Sequence, residues 1–164
     1  MQLPVSNPRP WYADGLSFTC TQCGNCCTGE PGYVWISQVE LQRLSDFLKR
    51  DIEDVVRRYC RKLGGGFSLK EKRAVNGEHD CIFLERIQGR RICTVYEVRP
   101  LQCRTWPFWE GNLSSERAWR RAGENCPGMN RGKRYTLEQI EALRDATDWP
   151  NLAPGSDQPP PNRS

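Results

Sequence analysis

The chain has 164 residues, of which 37% are hydrophobic, and its mean hydropathy is −0.73. That length predicts a single domain, with an apolar interior too thin to hold without crosslinks or bound metal. The formal net charge of +4 excludes a strongly basic nucleic-acid binder, and no stretch approaches the ~18 apolar residues of a membrane span.

In chain order, residues 1–19 read as an irregular or extended lead-in. MQLPVSNPRPWYADG has no apolar run and three prolines, so no export signal is expected. The expectation is a cytoplasmic protein in a reducing compartment, where dense cysteines more often bind metal than form disulfides. CTQCGNCC (20–27) follows, with Gly24 permitting a tight turn. TGEPG (28–32) is a further turn and YVWI (33–36) a short apolar strand. Ser37 and Glu40 form a capping box that opens a helix, with Val39, Leu44, Phe47 and Leu48 on one face. A second helix is predicted from Asp51, with Ile52, Val55, Val56 and Tyr59 at helical spacing, ending at the glycines 64–66. FSLKEK (67–72) alternates like an exposed strand. CIFLE (81–85) and RRICTVY (90–96) read as a β-hairpin turning near Gly89, which places Cys81 and Cys93 on neighbouring strands. Arg99-Pro100 opens a turn that delivers Cys103, followed by the aromatic loop TWPFWEGN. A short helix is predicted over 114–125, capped by Ser114, and a last helix from Thr136 with Gln139 as its capping-box partner.

The predicted fold class is therefore α+β: a small single domain over residues 1–148, with a cysteine-rich, metal-centred core, short helices and a β-hairpin. Residues 149–164 read as a disordered tail.

Nine cysteines give an odd number, which argues against a disulfide framework. The βαβ pattern of a thioredoxin-like redox protein is missing. Cys20, Cys23 and Cys26 form C-x2-C-x2-C, a spacing that lets tight turns aim several sulfurs at one metal centre, as in zinc knuckles and iron–sulfur loops. Cys27 follows at once, and adjacent side chains point apart, so Cys26 and Cys27 are expected to serve different metals. Cys81, Cys93, Cys103 and Cys126 are further candidates; four local and four distant sulfurs suffice for two four-cysteine sites. Cys60 extends an apolar face and reads as core packing. His79 reads as an exposed loop residue in NGEHD.

CTQCGNCC, DCIFL from Asp80, CTVYEVRPLQCRTWPF from Cys93 and CPG from Cys126 together resemble the YkgJ-like cysteine-cluster family, whose C-x2-C-x2-C-C domain is described as chelating zinc or iron. The resemblance spans roughly residues 15 to 130. It implies that Cys20, Cys23, Cys26, Cys27, Cys81, Cys93, Cys103 and Cys126 are the metal ligands, and it implies no reaction. A related cysteine domain occurs in flagellin lysine N-methylases.

Around these cysteines, Arg99, Arg104 and Tyr96 are candidates for hydrogen bonds to metal-bound sulfur, which stabilise thiolate and tune a cluster's potential. For Arg99, capping the Pro100 turn or pairing with Glu97 is the structural alternative. Trp106, Phe108 and Trp109 are expected to cover the cluster from water.

The reading is a metal-binding protein that holds an iron–sulfur cluster or zinc, with electron transfer to a redox or other protein partner. The cysteine run and the arginine-rich surroundings favour iron. The alternatives are a zinc-stabilised interaction module, or a metal-dependent methyl- or group-transfer enzyme. No glycine-rich nucleotide fingerprint supports the last.

Overall fold

A computed structural model describes residues 8–146; the tail expected over 149–164 lies outside the described residues. The architecture is α+β, built from short helices and small antiparallel sheets.

Strand β1 (Leu16–Phe18) leads into the cysteine loop, which contains one 3₁₀ turn over Asn25–Cys27. Gly24 enters that turn at φ +73°, and a Cβ there would stand 2.6 Å from the Cβ of Arg91. Both facts require glycine, and both press the loop against the strand that carries Cys93. After β2 (Trp35–Ile36), helix α1 (Gln38–Leu48) opens on the expected capping box of Ser37 and Glu40. Its buried face is Glu40, Leu41, Leu44 and Ser45. The expected face was partly wrong, because Val39 is 63% exposed and Phe47 is exposed too.

Helix α2 (Ile52–Tyr59) starts after Asp51 but does not run to the glycines. Cys60 is already extended, and β3 (Cys60–Leu63) turns back through β4 (Gly66–Leu69). Pairing of Cys60 with Leu69 and of Trp35 with Ser68 gives a sheet of order β2-β4-β3. FSLKEK is thus split between β4 and β5 (Glu71–Arg73), and Ser68 and Leu69 are buried rather than exposed.

Cys81 lies on β6 (His79–Cys81), opposite Glu71 of β5, and not in the hairpin. His79 is likewise a half-buried strand residue. The hairpin is β7 (Leu84–Ile87) with β8 (Arg90–Cys93), in the register Leu84 to Cys93. Gln88 and Gly89 both have positive φ, 49° and 77°, as a two-residue type I′ turn requires.

Cys103 sits in helix α3 (Leu101–Thr105), and the aromatic segment folds into α4 (Glu110–Leu113). Helix α5 (Glu116–Glu124) is capped by Ser115, one residue later than expected. Strand β9 (Met129–Tyr135) pairs with β1, and α6 (Leu137–Asp145) carries the expected Thr136–Gln139 capping box.

Two separate apolar clusters result. The first gathers Ile36, Leu41, Leu44, Val55, Cys60, Leu69, Phe83, Leu84 and Val95 from α1, α2 and the middle strands. The second gathers Tyr12, Phe18, Phe108, Leu113, Trp119, Met129 and Ile140 from both ends of the described chain. Cys60 belongs to the first as packing, and burial pushes its thiol pKa up to about 11. Cys60→Ala is therefore expected to cost about 1 kcal/mol, the scale of a small buried truncation. Bound metal per chain, measured by elemental analysis, should not change.

Candidate metal centre

Between the two clusters lies a chamber of about 410 Å³. Its lining includes Cys20, Cys23, Cys26, Cys27, Cys81, Cys93, Cys103 and Cys126, all eight of the cysteines singled out above, and does not include Cys60. Leu69 and Val95 of the first cluster form one side of the wall, and Phe18, Ala122 and Trp106 of the second form another.

Five chain segments deliver these sulfurs. The cysteine loop contributes four, β6 contributes Cys81 and β8 contributes Cys93. Helix α3 contributes Cys103, and the turn between α5 and β9 contributes Cys126. Among the described residues, no three or more His, Cys, Asp or Glu side chains converge as a closed ion site; the eight cysteines line the chamber instead. All nine cysteines are unbridged. The Sγ atoms of Cys26 and Cys27 are 3.9 Å apart, far beyond the ~2.05 Å of a disulfide.

The sulfurs interact with one another and with the walls. Cys27 is hydrogen-bonded with Cys26 and with Cys93, and both contacts raise its pKa. The same bond lowers the pKa of Cys93 to about 7, and the charge of Arg99 adds to that effect. Burial around its sulfur pushes the Cys103 thiol well above the ordinary value. Burial also raises Cys126, against the opposing indole N–H of Trp106, which donates to Cys126 Sγ at 3.3 Å. The backbone N–H of Gln22 donates to Cys20 Sγ at 3.4 Å. Tyr96 hydrogen-bonds Cys20, and its pKa rises for that reason.

Arg99 and Arg104 both line the chamber. Arg99 lies over the Tyr96 ring at 3.8 Å and donates to the Tyr96 carbonyl at 2.6 Å, so it acts on sulfur through its charge. Arg104 donates to the Arg99 carbonyl at 3.2 Å and approaches Glu40 at 3.5 Å. Trp106 and Trp109 line the chamber as expected. Phe108 does not; it belongs to the second cluster, between Phe18, Trp119 and Tyr135.

Three polar clamps that the sequence reading missed hold the cysteine-bearing segments in place. Asp80, 3% exposed and next to Cys81, accepts both Arg86 nitrogens at 2.9 Å and the Thr28 hydroxyl at 2.5 Å. Thr28 follows Cys27, so this clamp joins the loop to β6. Glu40 accepts from the Leu101 N–H at 2.5 Å and so ties the start of α1 to α3. Gln102, beside Cys103, accepts from the Trp35 N–H at 2.8 Å and donates to the Tyr33 carbonyl at 3.0 Å. The available signal was adjacency: each of Asp80, Thr28 and Gln102 directly flanks a cysteine. Asp80→Asn should destabilise the protein by about 1–3 kcal/mol, the scale of an unsatisfied buried polar partner. Urea denaturation checks this, and an unchanged midpoint would contradict it.

The donor set fits the metals expected of it. Thiolates are soft ligands suited to zinc and to iron–sulfur clusters, and the chamber supplies eight of them with N–H donors aimed at two. A family model described as "CxxCxxCC: Putative zinc- or iron-chelating domain" matches residues 19–127. An uncharacterized protein of Methanocaldococcus jannaschii is 32% identical over 97 residues, which cover 59% of this chain and 48% of the relative. The match thus spans about half the length of that relative. No solved structure matches the chain.

Proposed function

The chain belongs to the CxxCxxCC family, and from that premise we propose that it holds an iron–sulfur centre for electron transfer, with Cys20, Cys23, Cys26, Cys27, Cys81, Cys93, Cys103 and Cys126 as its ligands. The observation that carries this reading is the common chamber: eight cysteines from five segments line one space of about 410 Å³.

When bound, such a centre supplies one-electron exchange. The protein's part is to hold and shield it. Trp106 and Trp109 keep water from one wall. The Trp106 and Gln22 N–H groups and the Arg99 charge stabilise thiolate at Cys126, Cys20 and Cys93. Among the described residues no helix is long and apolar enough to cross a membrane.

Structural zinc is the second reading, and the position of the chamber between two apolar clusters favours it, because a closed zinc–thiolate site serves as a joint. Anaerobic purification followed by iron, zinc and acid-labile sulfide analysis decides between them. Iron with sulfide and a brown colour is expected. Zinc at full occupancy without sulfide would overturn the cluster and leave the joint.

A further inference from the structure

Several arginines outside the α5–β9 region lie within reach of a carboxylate. Arg50, just before α2, and Arg57 and Arg58 on α2 share the single carboxylate of Asp54, at 3.0, 2.5 and 2.8 Å. Arg86 pairs with Asp80, Arg104 with Glu40, Arg61 with Glu71 and Arg144 with Asp145. The α5–β9 region concentrates the excess charge. Between residues 116 and 135 stand Arg117, Arg120, Arg121, Arg131, Lys133 and Arg134, against Glu116 and Glu124 alone. That excess equals the +4 of the whole chain, so the rest of the sequence is formally balanced.

All six cations are exposed. Arg120 reaches Glu116 at 3.4 Å in open solvent, and Lys133 sits 4.7 Å from the Tyr135 ring. Arg117, Arg121 and Arg131 make no ion pair with a described residue. Arg117 and Arg121 are four apart on α5, where like charges disfavour the helix, although Arg121 in the last turn also faces the negative end of the helix dipole. Trp119 Nε1 donates to Asn130 Oδ1 at 2.8 Å, which holds α5 beside β9 and brings the two basic runs together. The end of α5 reaches the chamber wall through Ala122, Asn125 and Cys126.

We propose that the α5–β9 face is a docking surface for a protein partner that presents a cluster of carboxylates. Unpaired guanidinium groups match carboxylate geometry, and opposite charge steers association. Nucleic acid fits less well. The aromatic residues of this region, Trp119 and Tyr135, are buried and half-buried, which leaves no stacking platform, and the chain's pI of about 8.6 is modest. The inference holds for zinc and iron alike, and it places the partner next to Cys126.

The test uses the full, metal-loaded chain and fluorescein-labelled poly-L-glutamate, followed by anisotropy. Binding should be salt-sensitive and should weaken at least ~10-fold in the triple variant R117E/R121E/R131E. The triple variant R43E/K62E/R90E makes the same change in net charge on exposed positions elsewhere, and should stay within about twofold of the parent if local rather than bulk charge steers binding. If the glutamate substitutions prevent folding, R117A/R121A/R131A should show the same ranking with a smaller loss. Absence of poly-L-glutamate binding, an equal loss in the control variant, or tighter binding of single-stranded RNA of matched charge would overturn the proposal.

Discussion

Cys103→Ser should empty the protein of most of its metal and lower its thermal midpoint by about 10 °C or more. The residue projects from α3 into the chamber, where burial holds its thiol protonated unless a cation compensates the thiolate. Serine keeps the size and removes the soft donor. Because metal binding by thiolates is also folding free energy, metal content and stability should fall together. The segment itself should stay in place, since Gln102 and Leu101 still bind Tyr33, Trp35 and Glu40. Elemental analysis and calorimetry of the same anaerobic sample check both effects. Full metal with an unchanged midpoint would remove Cys103 from the ligand set.

Phe108→Ala should be comparably destabilising for a different reason. Phe108 is 1% exposed and lies between Phe18, Trp119 and Tyr135, with ring centroids 6.2, 5.7 and 4.7 Å away. Truncating a buried phenylalanine costs about 3–5 kcal/mol through lost transfer energy and the cavity left behind. The residue faces away from the chamber, so folded protein should keep its full complement of metal. Denaturation by urea under anaerobic conditions measures the first effect, and metal per folded chain measures the second. Loss of metal in proportion to loss of stability would mean that the second cluster and the chamber are not separate structural units.

Local chemistry was the legible part of this fold. The capping boxes of Ser37 with Glu40 and of Thr136 with Gln139 stand where the sequence puts them, because they depend on residues three apart. The hairpin turn at Gln88-Gly89 is equally local. Long-range pairing was not legible. CRKL over 60–63 lacks the alternation of a strand, and its lysine, arginine and leucine favour helix; pairing with Gly66–Leu69 overrides that preference. MNRGKRY over 129–135 has no apolar pattern, yet it pairs with β1, with a shift between Ser17 and Phe18. CIFLE over 81–85 reads as one continuous apolar strand, which puts Cys81 in the hairpin, and the sequence does not show that β6 ends at Cys81 and β7 begins at Leu84.

For the chamber, cysteine spacing marked the local four, while the distant four were legible by count and by resemblance. The clamps were marked only by the adjacency of Asp80, Thr28 and Gln102 to cysteines. In the sequence Asp80 looks like a surface charge and Glu40 like a capping-box partner alone, and their roles as clamps depend on burial against Arg86 and Leu101, partners brought close by folding. Phe108 was grouped with its aromatic neighbours, but Trp106 and Trp109 turn toward the chamber and Phe108 turns the other way.

The most direct test is X-ray absorption at the metal edge of the anaerobically purified, full-length protein. Iron or zinc surrounded by sulfur at about 2.3 Å, the distance of a metal–thiolate bond, is the predicted result. A compactly folded protein with no bound iron or zinc, or with a metal held mainly by oxygen and nitrogen, would contradict the account.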